Sequence, residues 1–256
     1  MKKLLLFAIA LTFGLSSFSQ IYQDDFESYN VGEYLAVQSD DWDTWSGAPG
    51  GSEDALITDE QALSGTQSVI VEGATDLILP MGDKTSGVYE FDINLYVPAG
   101  FAGYYNFQHY ESPGIEWAFE IYFLEGGSTI INAGGDGVAT FNFNHDEWFT
   151  MHHVIDLDND WSEVYYEGTM IHEWQWSLGA QGNGAINQLG GLDVFAGAQT
   201  GETPKFYFDD ITYAAMASAI YEDDFESYNV GEYLAVQSDD WDTWSGAPGG
   251  SEDALI

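Results

Sequence analysis

Hydrophobic and polar residues alternate along much of the chain. In GVYEFDINLYVP, apolar side chains occupy every second position from Tyr89 to Val97, with Glu90, Asp92 and Asn94 between them. The segments IEWAFEIYF and WFTMHHVIDL repeat this alternation. A period of two residues is typical of a strand with one buried face. The pattern therefore predicts three strands of this kind.

A hairpin is predicted in SEVYYEGTMIHEWQW, where two alternating arms flank Glu167 and Gly168. Clusters of Gly, Asn and Asp separate about a dozen strand-like segments along the chain. No segment has the apolar spacing of an amphipathic helix. We therefore predict an all-β fold, built as a two-sheet antiparallel sandwich.

The chain carries one long segment twice. Residues 21–57 recur as residues 220–256, and Gln23 against Glu222 is the only difference between them. A repeat this widely spaced indicates tandem domains rather than a solenoid. We expect one domain over residues 20–219. Residues 220–256 are then the truncated start of a second copy, too short to bury a core alone.

The first residues have the order of a secretory signal peptide. Lys2 and Lys3 precede an apolar run from Leu4 to Leu15, and a Ser-Phe-Ser triplet follows. The run is too short to span a bilayer. We predict a signal peptide over residues 1–19 and a secreted, extracellular or cell-surface protein without membrane insertion; an N-terminal membrane anchor is the alternative.

The charge balance is strongly acidic. The chain has 43 acidic residues against four basic ones, all lysines, and removal of the signal peptide leaves only Lys84 and Lys205. Nucleic acid and anionic membranes are poor partners, because both are bound through Lys and Arg. The acidic residues indicate either a solubilising surface or cation binding, and the two interpretations are compatible. Cysteine is absent, which excludes disulfides, thiolate metal sites and a cysteine nucleophile.

The order of four segments resembles a known family. DDFESY, SGTQSVIVEG, EWFTMHHVIDLDNDWSEVYYEGTMIHEWQW and FYFDDITY follow one another as in concanavalin A-like jelly-roll modules, in particular the laminin-G-like modules of secreted bacterial proteins exported by the type IX route. The resemblance covers nearly all of residues 21–213. It implies a jelly-roll sandwich with first and last strands side by side, and glycans held on the concave sheet.

Aromatic, amide and carboxylate side chains share the outward faces of neighbouring predicted strands. Rings stack on the apolar faces of sugars, and polar groups bind their hydroxyls. The alternative is ordinary cross-strand pairing that stabilises the sheet. The candidate carbohydrate-binding residues are Tyr104, Asn106, Gln108, Tyr110, Glu116, Glu120, Trp174 and Trp176.

A glycoside hydrolase is a further alternative. Similar jelly-roll glucanases place two glutamates on one strand with an aspartate between them, whereas this chain has Glu116, Ala118 and Glu120. Four residues along a strand separate the two Cα atoms by about 13 Å, and retaining hydrolysis requires carboxyl groups about 5 Å apart. Without the middle acid the pair is a poor catalytic candidate, so no catalytic residue is assigned.

Acidic residues also cluster at the two ends of the predicted domain. If the first and last strands are neighbours, their carboxylates converge, and calcium takes six to eight oxygen ligands. By analogy with related sandwich modules, Glu27 and Asp210 are the candidate ligands of a structural Ca²⁺. The alternative is an acidic edge that discourages aggregation.

The resulting hypothesis is a secreted, non-catalytic module that binds a neutral polysaccharide or a cell-surface glycan. A calcium-stabilised structural or adhesin repeat is the second hypothesis. Because the two copies are nearly identical, residues 220–228 are also expected to compete with residues 21–29 for one place in the sheet, or to exchange strands between chains.

Overall fold

The described part of the chain is built around two antiparallel sheets. The computed structural model describes residues 18–216, 225, 228–237, 248–249 and 253–255. The strands are β1 Phe18–Asp24, β2 Asp43–Thr44, β3 Leu56–Thr58, β4 Ser68–Glu72, β5 Asp76–Lys84, β6 Val88–Tyr96, β7 Gly103–Gln108, β8 Trp117–Phe123, β9 Thr129–Asn132, β10 Trp148–Asp156, β11 Trp161–Tyr166, β12 Thr169–Trp174, β13 Leu189–Phe195 and β14 Lys205–Met216. Helical turns are short: α1 is Leu35–Gln38, a 3₁₀ turn is Trp176–Leu178 and α2 is Leu234–Gln237.

The first sheet has eight strands and the second has six. The eight-stranded sheet runs β12-β11-β10-β6-β14-β4-β3, with β1 paired to β14. The six-stranded sheet runs β2-β5-β13-β7-β8-β9. Each strand pair between these elements is antiparallel. The predicted all-β sandwich of two antiparallel sheets is confirmed.

The alternating segments form the strands expected of them. Buried and partly buried residues alternate without a break along β6 and along β10. The buried side chains of both strands lie in the hydrophobic core, where Phe91 of β6 meets Phe107 of β7 edge to face, with ring centroids 5.1 Å apart. The core therefore fills the space between the two sheets.

The hairpin between β11 and β12 turns where the sequence predicts. Glu167 and Gly168 both have positive φ, at 48° and 71°. Two successive left-handed residues match the right-handed twist of the flanking strands. This accounts for a non-glycine residue in a left-handed conformation at Glu167.

The first and last strands lie side by side, as the resemblance implies. β1 pairs with β14 from Phe18 opposite Met216 to Asp24 opposite Ile211. The strand ends at Asp24, which is the first residue of DDFESYNVGEYL within the repeated segment. Most of this motif forms turns, and it leads into α1. Of the predicted signal peptide, residues 1–17 lie outside the described residues.

β14 changes neighbour at a bulge. Its first residues pair with β4 and its last with β1, and its register with β6 shifts between Asp209 and Thr212. Asp210 has a φ of 44° there. The amide of Asn94 donates to the Asp210 carbonyl at 2.9 Å and satisfies a backbone oxygen that the bulge removes from the ladder.

The chain divides into two units, residues 1–218 and 219–256. In the second unit, Asp253 accepts hydrogen bonds from the backbone N–H groups of Ala235 and Gly249, at 3.0 and 2.8 Å. Asp54 makes the equivalent bonds in the first copy, at 3.0 and 2.9 Å. The repeated sequence thus forms the same local hydrogen bonds twice.

The predicted strand exchange concerns residues 220–228, of which the structure describes only Phe225 and Tyr228. In the described part of the chain, no helix is long and apolar enough to cross a membrane.

Candidate functional site

A cavity of about 320 Å³ lies on the face of the six-stranded sheet that points away from the core. Strands β5, β13, β7 and β8 form its floor, and loop residues form its rim. The lining residues are Trp45, Asp76, Tyr104, Trp117, Glu120, Tyr122, Asp193, Phe195, Gly197 and Ala198.

A row of polar side chains crosses the sheet beneath this cavity, and two of them, Asp193 and Glu120, line it. Asp193, Asn106, Glu120 and Asn132 lie directly opposite one another on β13, β7, β8 and β9. Side chains in this register point to the same side of the sheet and lie about 5 Å apart at Cβ. The row therefore forms one continuous set of hydrogen-bonding groups.

Amide side chains fix the carboxylate at one end of the row. The Asn106 amide donates to Asp193 Oδ2 at 2.6 Å, and the Gln108 amide donates to Asn106 Oδ1 at 3.2 Å. The backbone N–H of Gly114 in turn donates to Gln108 Oε1 at 2.8 Å. Asn106 and Gln108 are fully buried, so they orient Asp193 rather than face the cavity.

Glu120 is held by three donors. The Tyr104 hydroxyl donates to Oε1 at 2.8 Å, and the amides of Gln181 and Asn132 donate to Oε2 at 2.5 and 3.2 Å. Burial and the neighbouring Glu120 carboxylate raise the pKa of Tyr104 well above its usual value. The tyrosine therefore stays protonated and keeps donating to Glu120.

Asp76 and Asp193 form a carboxyl pair at the β13 end of the row. Asp76 pairs with Phe195, two residues from Asp193 on β13, so the two side chains are diagonal neighbours on one face. Burial raises the pKa of Asp76 to about 6, and it raises the pKa of Asp193 well above its usual range. The negative charge of Asp76 adds to the rise in the pKa of Asp193, so the two carboxyl groups titrate as an interacting pair.

Aromatic rings form the walls of the cavity. Trp45 stacks on Trp117 with ring centroids 6.4 Å apart and planes 23° apart. Tyr104 packs against Tyr122 at 4.6 Å and meets Phe195 edge to face at 6.0 Å. The backbone N–H of Trp45 donates to the Asp76 carbonyl at 2.9 Å, which ties this wall to the carboxyl pair.

A β-bulge in β8 brings Trp117 into the site. Phe107 pairs with Phe119 but Gln108 pairs with Trp117, so Ala118 is the extra residue. Both Ala118 and Phe119 are buried in the core. The alternation in IEWAFEIYF predicts that Trp117 shares the inward face of Phe119. This prediction is wrong, because the bulge turns Trp117 to the cavity face.

The same bulge removes Glu116 from the predicted face. Glu116 precedes β8, and its Oε1 lies 3.0 Å from Nδ1 of the fully buried His109. Glu116 therefore forms neither a sugar contact in the cavity nor a carboxyl pair with Glu120.

The predicted platform of Trp174 and Trp176 does not form on the surface. Their exposed fractions are 4% and 0%. Trp174 stacks on the core residue Phe119 at 5.6 Å, and the Trp176 indole donates to the Gln188 carbonyl at 2.9 Å. Tyr110 lies beyond the end of β7, outside the cavity lining. Of the predicted residues, Tyr104 and Glu120 line the cavity, with Asn106 and Gln108 beneath.

Sequence reasoning missed both the carboxyl pair and Trp45. Asp76 precedes the apolar run LILP, and Asp193 interrupts GGLDVF. A lone acid in an otherwise apolar strand is a signal of a buried, functional carboxyl group. Trp45 carries no comparable signal, because a loop brings it to the sheet.

The candidate calcium ligands contact one loop, residues 63–67. Glu27 accepts hydrogen bonds from the backbone N–H groups of Thr66 and Gln67, at 2.8 and 2.9 Å. Asp210 Oδ1 accepts one from the Ser64 hydroxyl at 2.9 Å. The Thr66 hydroxyl donates to the other oxygen of Glu27 at 3.1 Å. Protein donors thus already occupy both oxygens of Glu27 and one oxygen of Asp210. Among the described residues, no group of three or more acidic or histidine side chains is arranged to hold a metal ion.

No protein-family model and no curated protein sequence matches the chain. An endo-β-1,3-glucanase from Pyrococcus furiosus is similar in structure, with a TM-score of 0.50 and 13% identity over 80% of this chain and 97% of that one. A sialidase has a TM-score of 0.51 and 11% identity over 77% of this chain; the match spans only 18% of the sialidase. The alginate lyase Aly36B has a TM-score of 0.49 and 14% identity over 78% of this chain and 98% of that one.

At these identities the likeness concerns the fold alone. The two packed antiparallel sheets, with first and last strands adjacent, are those of a concanavalin A-like jelly-roll sandwich. The three similar structures are of proteins whose names describe action on carbohydrates.

Proposed function

We propose that this protein binds carbohydrate in the cavity of the six-stranded sheet and does not cleave it. The observation that carries the proposal is the combination of stacked indoles with buried polar groups around a 320 Å³ space. Ligand cavities of roughly this size have mostly apolar walls and a few oriented polar groups. Trp45 and Trp117 offer ring faces to a sugar, and Glu120 offers a fixed acceptor for its hydroxyls.

The charges of the cavity favour a glycan without acidic groups. Its lining contains Asp76, Glu120 and Asp193 and, in the described part of the chain, no basic side chain. A uronate or sialate would bring a fourth carboxylate into this group without a partner. The neutral polysaccharide predicted from the sequence meets this condition.

Two features support a non-catalytic role over glycoside hydrolysis. Glu116 and Glu120 do not form a pair, since the bulge in β8 separates them. Asp76 and Asp193 are diagonal neighbours on one face of the sheet, whereas the two carboxyl groups of a glycosidase flank the scissile bond from opposite sides.

The predicted location is outside the cell or on its surface. The signal-peptide pattern supports secretion, and export by the type IX route stays a prediction.

The local hydrogen bonds repeated at Asp54 and Asp253 support a tandem-repeat protein, so the structural or adhesin role remains the second candidate. Removing residues 220–256 and measuring sedimentation tests strand exchange: loss of oligomers supports it, and an unchanged distribution contradicts it.

A panel of neutral oligosaccharides tests the proposed function. We expect at least one oligosaccharide of the panel to bind the purified chain. Trp117→Ala should weaken this binding by about tenfold or more, because the substitution removes half of the indole stack. Trp161→Ala is the matched control, since Trp161 is 39% exposed on the eight-stranded sheet. Absence of binding to the whole panel, or equal loss in both variants, contradicts the proposal. Reducing ends released during incubation would show hydrolysis instead.

A further inference from the structure

The carboxyl pair of the cavity has oxygen atoms that no protein group satisfies. Asp76 Oδ1 and Asp193 Oδ1 are buried, and no amide, hydroxyl or basic group of the described residues donates to either atom. Asp193 lies on the cavity floor with an exposed fraction of only 3%. Buried polar atoms without partners are rare, and each calls for an explanation.

The third carboxylate of the cavity differs from this pair. Glu120 already accepts three hydrogen bonds, from Tyr104, Gln181 and Asn132. The unmatched acceptor capacity of the cavity is therefore concentrated at Asp76 and Asp193. A ligand that complements this end must donate hydrogen bonds, and a positive charge on the donor strengthens them.

Aromatic rings surround the same space. The lining includes two indoles and two phenol rings, and the backbone of Trp45 is hydrogen-bonded to the backbone of Asp76. The faces of such rings attract cations within about 6 Å of the centroid. Neither lysine of the described residues lines the cavity. Lys205 pairs with Glu60 and Glu72 at 3.5 and 3.4 Å, and Lys84 is absent from the lining.

We infer that the cavity selects a sugar carrying a protonated amino group, as in an oligosaccharide of glucosamine. The ammonium group donates to Asp76 Oδ1 and Asp193 Oδ1, and the sugar ring lies against the stacked indoles. Both carboxyl groups bind the ammonium group in their ionised form, and any proton that they carry passes to solvent as it enters. This inference rests on the proposed function and specifies the glycan that the cavity prefers.

Three tetrasaccharides with the same β-1,4 linkage test the inference. Cellotetraose, N-acetylglucosamine tetramer and glucosamine tetramer differ only at C2, where they carry a hydroxyl, an acetamide and an amine. Calorimetric titration of the full chain, in about 0.15 M salt to screen distant charges and below neutral pH to keep the amine protonated, compares their affinities. We expect the glucosamine tetramer to bind at least about tenfold more tightly than the other two.

Variants locate the preference in the carboxyl pair. Asp76→Asn and Asp193→Asn should each reduce glucosamine-tetramer affinity by about tenfold and change cellotetraose affinity much less. Asp59→Asn makes the same charge change at an exposed residue outside the cavity lining, and should have no effect. Thermal melting shows whether each variant is folded. If Asp193→Asn does not fold, Asp76→Asn alone carries the test. Asp76 lies at the end of its strand, where a substitution disturbs the sheet less.

The outcomes separate the inference from the proposed function. Cellotetraose binding that Trp117→Ala weakens, without a preference for the amine, overturns the inference and leaves the proposed function standing. Failure of all three sugars to bind overturns the inference, and if the whole neutral panel also fails to bind, the proposed function is overturned with it. Because the chain is strongly acidic, tri-lysine is the control for general cation attraction: binding as tight as that of the glucosamine tetramer overturns the inference.

Discussion

His153 Nε2 and the Tyr105 hydroxyl share a hydrogen bond of 2.7 Å across the interior of the sandwich. His153 lies on β10 of the eight-stranded sheet and Tyr105 on β7 of the six-stranded sheet. Both side chains are fully buried, and His153 Nδ1 has no hydrogen-bond partner in the described part of the chain. Burial therefore holds the pKa of His153 well below its usual value.

This histidine should make the fold sensitive to acid. In the unfolded chain His153 binds a proton near pH 6.5, whereas in the folded protein it binds one only at a much lower pH. Stability is therefore lost as the pH falls below about 6.5. Relative to His153→Gln, the wild type should lose up to about 1.4 kcal/mol of unfolding free energy per pH unit in that window. Denaturant titrations at several pH values measure the difference. The raised pKa values of Asp76 and Asp209 act in the opposite direction, but they are common to both proteins and cancel.

The neighbouring His152 is the matched control, with the opposite sign. Its Nδ1 lies 2.9 Å from Asp92 Oδ1, and this contact raises its pKa. Its stabilising contribution is present below pH 6.5 and is lost as the pH rises through the raised pKa. His152→Gln should therefore weaken the protein mainly at low pH. Identical pH profiles for the two variants would contradict this account.

Gly65 should tolerate no side chain. A Cβ at this position would lie 2.2 Å from Glu27 Cδ, and the residue has a φ of 58°. Gly73 has a φ of 68° with nothing within 4 Å of its Cβ position, so Gly73→Ala measures backbone strain alone, about 1–2 kcal/mol. Gly65→Ala should cost about 1–3 kcal/mol more, because it also displaces Glu27 from its loop. Chemical denaturation measures both, and equal losses would contradict the predicted clash.

The calcium prediction is tested at the same loop. If Glu27 and Asp210 hold Ca²⁺, adding millimolar calcium should raise the melting temperature, since a ligand bound to the folded state alone stabilises it. Asp210→Asn should abolish that increase, and magnesium, which keeps its own water ligands, should not replace calcium. A melting temperature that is the same in calcium and in chelator contradicts the prediction. It favours carboxylates that serve only to hydrogen-bond the loop.

The sequence predicts the strands of this fold better than its site, because alternation is local and site geometry is not. The alternation identifies β6 and β10 and the shared face of Tyr104 and Glu120. It does not show that consecutive strands β6 and β7 belong to different sheets. Nor does it reveal the bulge that exposes Trp117 to the cavity, since a bulge depends on the partner strand. The Asp76–Asp193 pair likewise exists only after β5 pairs with β13.

The repeated sequence provides its own control for the last prediction. Asp54 is buried and accepts hydrogen bonds from the backbone N–H groups of Ala36, Gly50 and Ala55, at 3.0, 2.9 and 2.9 Å. Asp54→Ala removes the acceptor from these donors, so we expect a loss of about 2–4 kcal/mol of unfolding free energy.

Asp253→Ala makes the same substitution in the same local sequence, within the separate unit of residues 219–256. It should change the main unfolding transition by less than about 0.5 kcal/mol. Thermal and denaturant unfolding of both variants decide the matter. Equal destabilisation would mean that residues 219–256 contribute to the stability of the jelly-roll domain, and the expectation that residues 220–256 only begin another copy would be wrong.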